Sequence, residues 1–248
     1  MYSNNYYDTT EVSSAKAFYA KVFFYIGLGL LVTFAVAFGL GALFTKLIGV
    51  GSTDILSNKE IAYAGVYLGI LISASIMQIV AMIWIMIAFR RGKAAMVPFI
   101  IYAVVMGIFI SAFTMFLPFW MIAAAFGLTS LVFGVMGLSA YLLGDKAKWF
   151  GIVGIGLLFG AIIVSLFVWL TYLISGGNVE TTRISAILSI VVLFAMLLIT
   201  IFDFYRMNKI AQSGAASKNL ALYCAFNLYV DFIYIFIRIL ILLANSKR

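Results

Sequence analysis

Residues 94–144 read AAMVPFIIYAVVMGIFISAFTMFLPFWMIAAAFGLTSLVFGVMGLSAYLLG, without one charged side chain. As a single α-helix rising about 1.5 Å per residue, this stretch would reach about 75 Å, far beyond a bilayer core of about 30 Å. The chain must therefore turn back on itself. Leu117-Pro118-Phe119-Trp120 marks the place, because proline ends a helix and tryptophan favours the membrane interface. The other proline, Pro98, falls in the first turn of its helix, where a missing N–H costs little.

Working outward, other apolar runs of about 20 residues, the length that crosses a bilayer, occur at Val22–Phe44, Ile61–Phe89, Trp149–Ser175 and Ile184–Phe202. Leu220–Ala244 joins them if Asp231 and Arg238 are allowed to interrupt it. With the folded-back stretch counted twice, seven spans result. The expected fold is all-α: a polytopic membrane protein forming a seven-transmembrane-helix bundle with the last helix central. Residues 1–21 form an N-terminal arm, 22–244 the transmembrane domain and 245–248 a tail. Thr45–Glu60 is the one sizeable external loop, with Gly49, Gly51 and Ser52 as turn formers.

Composition agrees. Of 248 residues, 66% are hydrophobic and 10% charged, whereas a soluble chain is about a quarter charged. Disorder is excluded by the same numbers. Lack of histidine removes HExxH zinc sites and Ser–His dyads, and one cysteine, Cys224, permits no internal disulfide. Neither GxxxxGK[ST] nor GxGxxG occurs, so nucleotide chemistry would lack its phosphate cradle. No cofactor, no enzymatic activity and no nucleic-acid partner are expected.

The net charge of +8 is read as topology, not nucleic-acid binding. On the N-terminal side lie Lys16, Lys21, Arg90, Arg91, Lys93, Lys146, Lys148, Arg206, Lys209 and Lys218; opposite lie Lys46, Lys59, Arg183, Lys247 and Arg248. Lysine and arginine concentrate on cytoplasmic loops, so the N-terminus is expected in the cytoplasm and, after seven crossings, the C-terminus outside. A last segment that re-enters without crossing would bring the tail inside. Glycines at Gly27, Gly29, Gly39, Gly41, Gly127, Gly134, Gly137 and Gly156-xxx-Gly160 have the spacings that let helices approach closely.

Charges inside a span are the informative exceptions, because each is costly unless paired or hydrated. Asp203, Asp231 and Arg238 are intramembrane, and Arg90 stands at the edge of the second span. In the last span Asn227, Asp231, Tyr234 and Arg238 recur at i, i+4, i+7 and i+11, one helical stripe expected to face the bundle interior or a water cavity. Span six has a similar stripe through Ser185, Ser189, Thr200 and Asp203, with Arg206 and Lys209 offsetting an anion near the helix C-terminus. Two aspartates on adjacent helices can point at one another. Close carboxylates in a low-dielectric site seldom both ionise and instead share a proton. Such a pair can sense protons, bind a divalent cation weakly or act as an acid/base pair. The plainer reading pairs the aspartates with Arg90 or Arg238 and holds helices together.

The segments Ile201-Phe-Asp-Phe-Tyr-Arg-Met-Asn-Lys-Ile210 and Ala221-Leu-Tyr-Cys-Ala-Phe-Asn-Leu-Tyr-Val-Asp-Phe-Ile233, with the basic turn Arg90-Arg91-Gly92-Lys93-Ala94, resemble the Bax inhibitor-1 family. The resemblance implies a pH-sensitive calcium leak in a bacterial inner membrane. Asp203 and Asp231 match the family's paired aspartates, which would meet Ca²⁺ only weakly and transiently, and Arg90 matches the basic residue that contacts the first of them. Asn227, Tyr234, Arg238 and Thr200 would line or support the ion pathway. Three positions depart from the pattern: Phe202 stands for the usual Tyr, Tyr234 for the usual Asn, and Arg238 lies one turn early. The lipid bilayer, Ca²⁺ and protons are the implied partners. Other classes stay open. A regulatory scaffold would bind a membrane protease or stress-response protein. A proton-coupled transporter is disfavoured by the lack of repeats. An intramembrane aspartyl protease is disfavoured because Asn227-Leu228-Tyr229-Val230-Asp231 stands where Gly-x-Gly-Asp is needed.

Overall fold

The computed structural model describes residues 5–48, 58–91, 95–174, 182–213 and 217–245. They form seven α-helices: α1 (Asn5–Ile48), α2 (Asn58–Arg90), α3 (Met96–Phe116), α4 (Phe119–Leu143), α5 (Ala147–Ile174), α6 (Thr182–Gln212) and α7 (Lys218–Asn245). A 3-10 turn, Gly144–Lys146, joins α4 to α5. The described residues contain no strand. Most of the expected external loop, Gly92–Ala94 of the basic turn and residues 246–248 of the tail lie outside the described residues.

The expected break between α3 and α4 falls at Pro118. Leu117 is extended (φ −108°, ψ 140°), the conformation that a following proline imposes, and its N–H closes the helix on Phe113 O at 2.8 Å. Pro98 lies in the first turn of α3. Helix α1 runs through residues 5–21 of the expected arm, and its apolar segment begins at Ala15. Helix formation propagates cheaply once nucleated, and Asn5–Lys21 contains neither proline nor glycine to stop it.

By length and composition six segments are able to cross a membrane, not seven. The difference is one segment, Phe119–Thr171, in which α4, the turn and α5 run on for 53 residues. Gly144 within it has φ +51°, a left-handed conformation that glycine adopts without penalty at the end of a helix. Large apolar side chains stand exposed along these helices, among them Phe24 (66%), Ile76 (64%) and Phe167 (65%). Such a surface is compatible with lipid, not water. The chain is an integral membrane protein.

The residues pack as two units. The first comprises Met1–Ala124 and Gly214–Tyr229. In it α1 lies tight on α3: a Cβ on Gly107 would stand 2.6 Å from Thr33 O, and one on Gly29 would stand 2.7 Å from the Phe99 ring. The buried Thr33 hydroxyl donates to Ala103 O at 3.0 Å and meets Tyr229 Oη at 2.6 Å, so one threonine joins α1, α3 and the start of α7. Phe99, Tyr102 and Phe226 stack edge-on around that contact.

The second unit comprises Ala125–Ser213 and Val230–Arg248. Here α5 approaches α6 closely. A Cβ on Gly151 would stand 2.6 Å from the Phe202 ring, and one on Gly154 would stand 2.8 Å from the Ile199 side chain and 3.0 Å from Ala195 O. The Gly156-xxx-Gly160 spacing expected to mediate packing faces open space, as do Gly27, Gly39, Gly127 and Gly134. Gly29, Gly41 and Gly137 do meet a neighbouring helix. Spacing finds small residues on one face but does not say which face is covered.

Candidate functional site

Asp203 lies nine residues before the end of α6 and Asp231 near the middle of α7, both in the second unit. Their carboxyl groups come within hydrogen-bonding reach of each other. Asp231 is 4% exposed and Asp203 partly buried. Thr200, one turn before Asp203 and fully enclosed, brings its hydroxyl within reach of the Asp231 carboxyl. That hydroxyl also donates to Met196 O at 2.8 Å. With one hydrogen and two acceptors, it serves one at a time.

Asp231 Oδ2 is enclosed, and among the described residues no donor reaches it. Ionised carboxylates are acceptors only, so a hydrogen bond between Asp203 and Asp231 exists only when one of them carries a proton. The cation that acts on Asp203 is Arg206, on the next turn of α6. Arg238 is turned to other work: its Nη1 donates to Ser189 Oγ at 3.4 Å, and among the described residues it forms no ion pair. Tyr234 is 39% exposed, so the expected inward stripe of α7 holds at Asp231 and fails at Tyr234. Asn227, partly buried, and Arg90, exposed at the end of α2, belong to the first unit.

One residue beside the pair carries no signal in the sequence. The ring of Phe133, on α4, packs edge-on against Phe204 at 4.8 Å and Phe232 at 5.4 Å. These are the residues that follow Asp203 and Asp231. Phe133 therefore braces both carboxylate-bearing turns at once, yet it is one of 23 phenylalanines and nothing in its neighbours distinguishes it.

Asp145, in the 3-10 turn, fastens the end of α6 two residues beyond the pair. Tyr205 Oη donates to Asp145 Oδ1 at 2.8 Å, Lys209 Nζ lies 3.0 Å from the same oxygen and Lys148 Nζ 3.9 Å. The Tyr205 hydrogen bond first, then Lys209 and Lys148, hold the Asp145 carboxyl below its usual range. Lys209, expected from the sequence to offset Asp203, is committed to Asp145 instead.

Among the described residues no three His, Cys, Asp or Glu side chains gather as a metal centre. Two carboxylates offer four oxygens, fewer than the six to eight ligands that a bound Ca²⁺ takes.

Comparison with curated proteins and with solved structures finds no match. The family model described as "Inhibitor of apoptosis-promoting Bax1" matches residues 15–248. That span takes in every described helix from the apolar start of α1 onward, and with them both aspartates and the turn that braces α6. A match of that extent, over an all-helical membrane fold, places the chain in the Bax inhibitor-1 family.

Proposed function

We propose that this protein is a passive, pH-sensitive Ca²⁺ leak channel gated by Asp203 and Asp231. The observation that carries the reading is their juxtaposition: two carboxyl groups from α6 and α7 in mutual reach, with Asp231 Oδ2 enclosed and without a donor. A proton shared between them supplies that donor and ties α6 to α7. Removing it leaves two like charges in a poorly solvated place, where repulsion is strong. Protonation thereby alters the attraction between the two helices, and with it the path open to a hydrated cation. Carboxylates are hard oxygen ligands suited to Ca²⁺, and weak binding is what conduction needs. No catalytic step is involved.

The same reading takes the 53-residue segment as two crossings joined at Gly144–Lys146, because its length in helix, about 80 Å, far exceeds a bilayer core. Seven spans follow. The N-terminus then lies in the cytoplasm of a bacterial cell and the C-terminus lies outside.

Purified protein in Ca²⁺-loaded liposomes tests the gate. Wild type is expected to leak Ca²⁺ at a rate that changes with pH, and Asp203→Asn and Asp231→Asn to leak at a rate that no longer does. Unchanged pH dependence in both variants removes the aspartates as the sensor. No flux from the wild type, with membrane proteins co-purifying from native membranes, favours the scaffold reading instead.

A further inference from the structure

On the second unit, away from the aspartate pair, Leu158, Ile162, Leu166 and Trp169 of α5 form a groove with Val192 of α6 and Arg238 of α7. It encloses about 420 Å³, within the range of small-molecule sites. Ile162, Leu166 and Trp169 stand exposed, so the groove opens to the medium around the protein, which for this chain is lipid. From Leu158 to Trp169 the wall runs about 16 Å along the helix, about half of a bilayer core and so one leaflet deep.

The apolar wall contains one cation. A guanidinium carries five N–H donors, but among the described residues Arg238 makes a single long hydrogen bond, to Ser189 Oγ at 3.4 Å, and no ion pair. A charge so placed is costly within a membrane unless an anion meets it. Trp169 is five residues from the end of α5 and Arg238 seven from the end of α7. Both are thus within about 10 Å of their helix ends, a depth from which arginine reaches toward headgroups. Apolar length for one chain and a forked cation at its headgroup end together define an amphiphile with an oxyanion.

We propose that this groove binds one anionic phospholipid, with phosphodiester oxygens on the Arg238 guanidinium and one acyl chain along α5 between Trp169 and Leu158. Guanidinium meets phosphate through paired, charge-assisted hydrogen bonds, and a headgroup without an ammonium of its own leaves that phosphate charge to Arg238, which sets an anionic lipid above a zwitterionic one. The proposal does not depend on ion conduction.

Native mass spectrometry of the detergent-purified full chain, exchanged against phosphatidylglycerol or phosphatidylcholine with identical acyl chains, reads the site directly. Wild type is expected to retain one phosphatidylglycerol per chain about tenfold more strongly than phosphatidylcholine. Arg238→Gln is expected to level the two lipids, Arg238→Lys to keep part of the preference, and Ser165→Phe, which fills the groove and spares the charge, to weaken both. If Arg238→Gln fails to fold, by circular dichroism, the Arg238→Lys and Ser165→Phe pair decides. Equal retention of both lipids by the wild type overturns the proposal. So does undiminished preference in Arg238→Gln, wild-type retention in Ser165→Phe, or stronger retention of a free fatty acid than of phosphatidylglycerol.

Discussion

Asp145 shows how much one exposed carboxylate can organise. It receives the Tyr205 hydroxyl at 2.8 Å and Lys209 at 3.0 Å, while the Lys148 and Lys209 ammonium groups each lie 5.9 Å from the centre of the Tyr205 ring. Its carboxyl is held below the usual range in the folded protein, so the unfolded chain binds a proton more readily. The stabilisation is therefore complete above the unfolded pKa, near 4, and is lost as pH falls through the lower folded value. Asp145→Asn is expected to lower thermal stability at pH 7, with the gap to wild type narrowing below about pH 4 and in high salt. A gap independent of both would mean that packing, not charge, holds the turn. At this scale the sequence was legible where charge is scarce. Asp203 and Asp231 stand out because almost everything around them is apolar, and they meet. Asp145 gave no such sign, since a charge in a connection looks like any solvated residue until Tyr205 is seen to reach it.

Among the helices, Gly154 and Gly156 make a natural experiment, two residues apart on α5. Gly154 is pressed against Ala195 O and Ile199 of α6, and Gly156 faces open space. Gly154→Ala is expected to destabilise the protein by about 1–3 kcal/mol through overpacking. Gly156→Ala should be neutral or stabilising by up to about 1 kcal/mol, because alanine is the better helix former. Denaturation of the two variants in mixed micelles compares them directly, and equal effects would contradict the α5–α6 contact. Periodicity could not make this distinction. The apolar positions of a membrane helix surround it on every side, so the contrast that tells core from surface in a soluble helix is missing. Helix existence and the break at Pro118 were readable from run length and proline chemistry. Which face packs was not, and the Gly156-xxx-Gly160 spacing pointed the wrong way.

For the whole molecule, apolar composition alone identified a membrane protein, and the exposed side chains agree with it. The count of crossings is where the helices alone run short, because α4, the 3-10 turn and α5 follow one another without a gap, although Asp145, Lys146 and Lys148 stand at the join. Single cysteines introduced on a Cys224→Ala background report the topology. Ser213→Cys is expected to react with an impermeant thiol reagent only from the cytoplasmic side, and Asn245→Cys only from outside. Labelling of both from the same side would mean that α7 does not cross, and the reversed pattern would mean that α4 and α5 do not make two crossings from a cytoplasmic N-terminus. The hydrogen bond between Thr33 and Tyr229 has a different kind of consequence, one of time. Its partners are 196 residues apart, in the first and last helices. At about 5–20 residues per second, roughly 10–40 s of translation separates their emergence. For more than half of that interval α1 and α3 both exist, with a space shaped for a tyrosine not yet made. A helix made early is thus completed by one made much later, and a chain released before α7 would leave α1 without that partner.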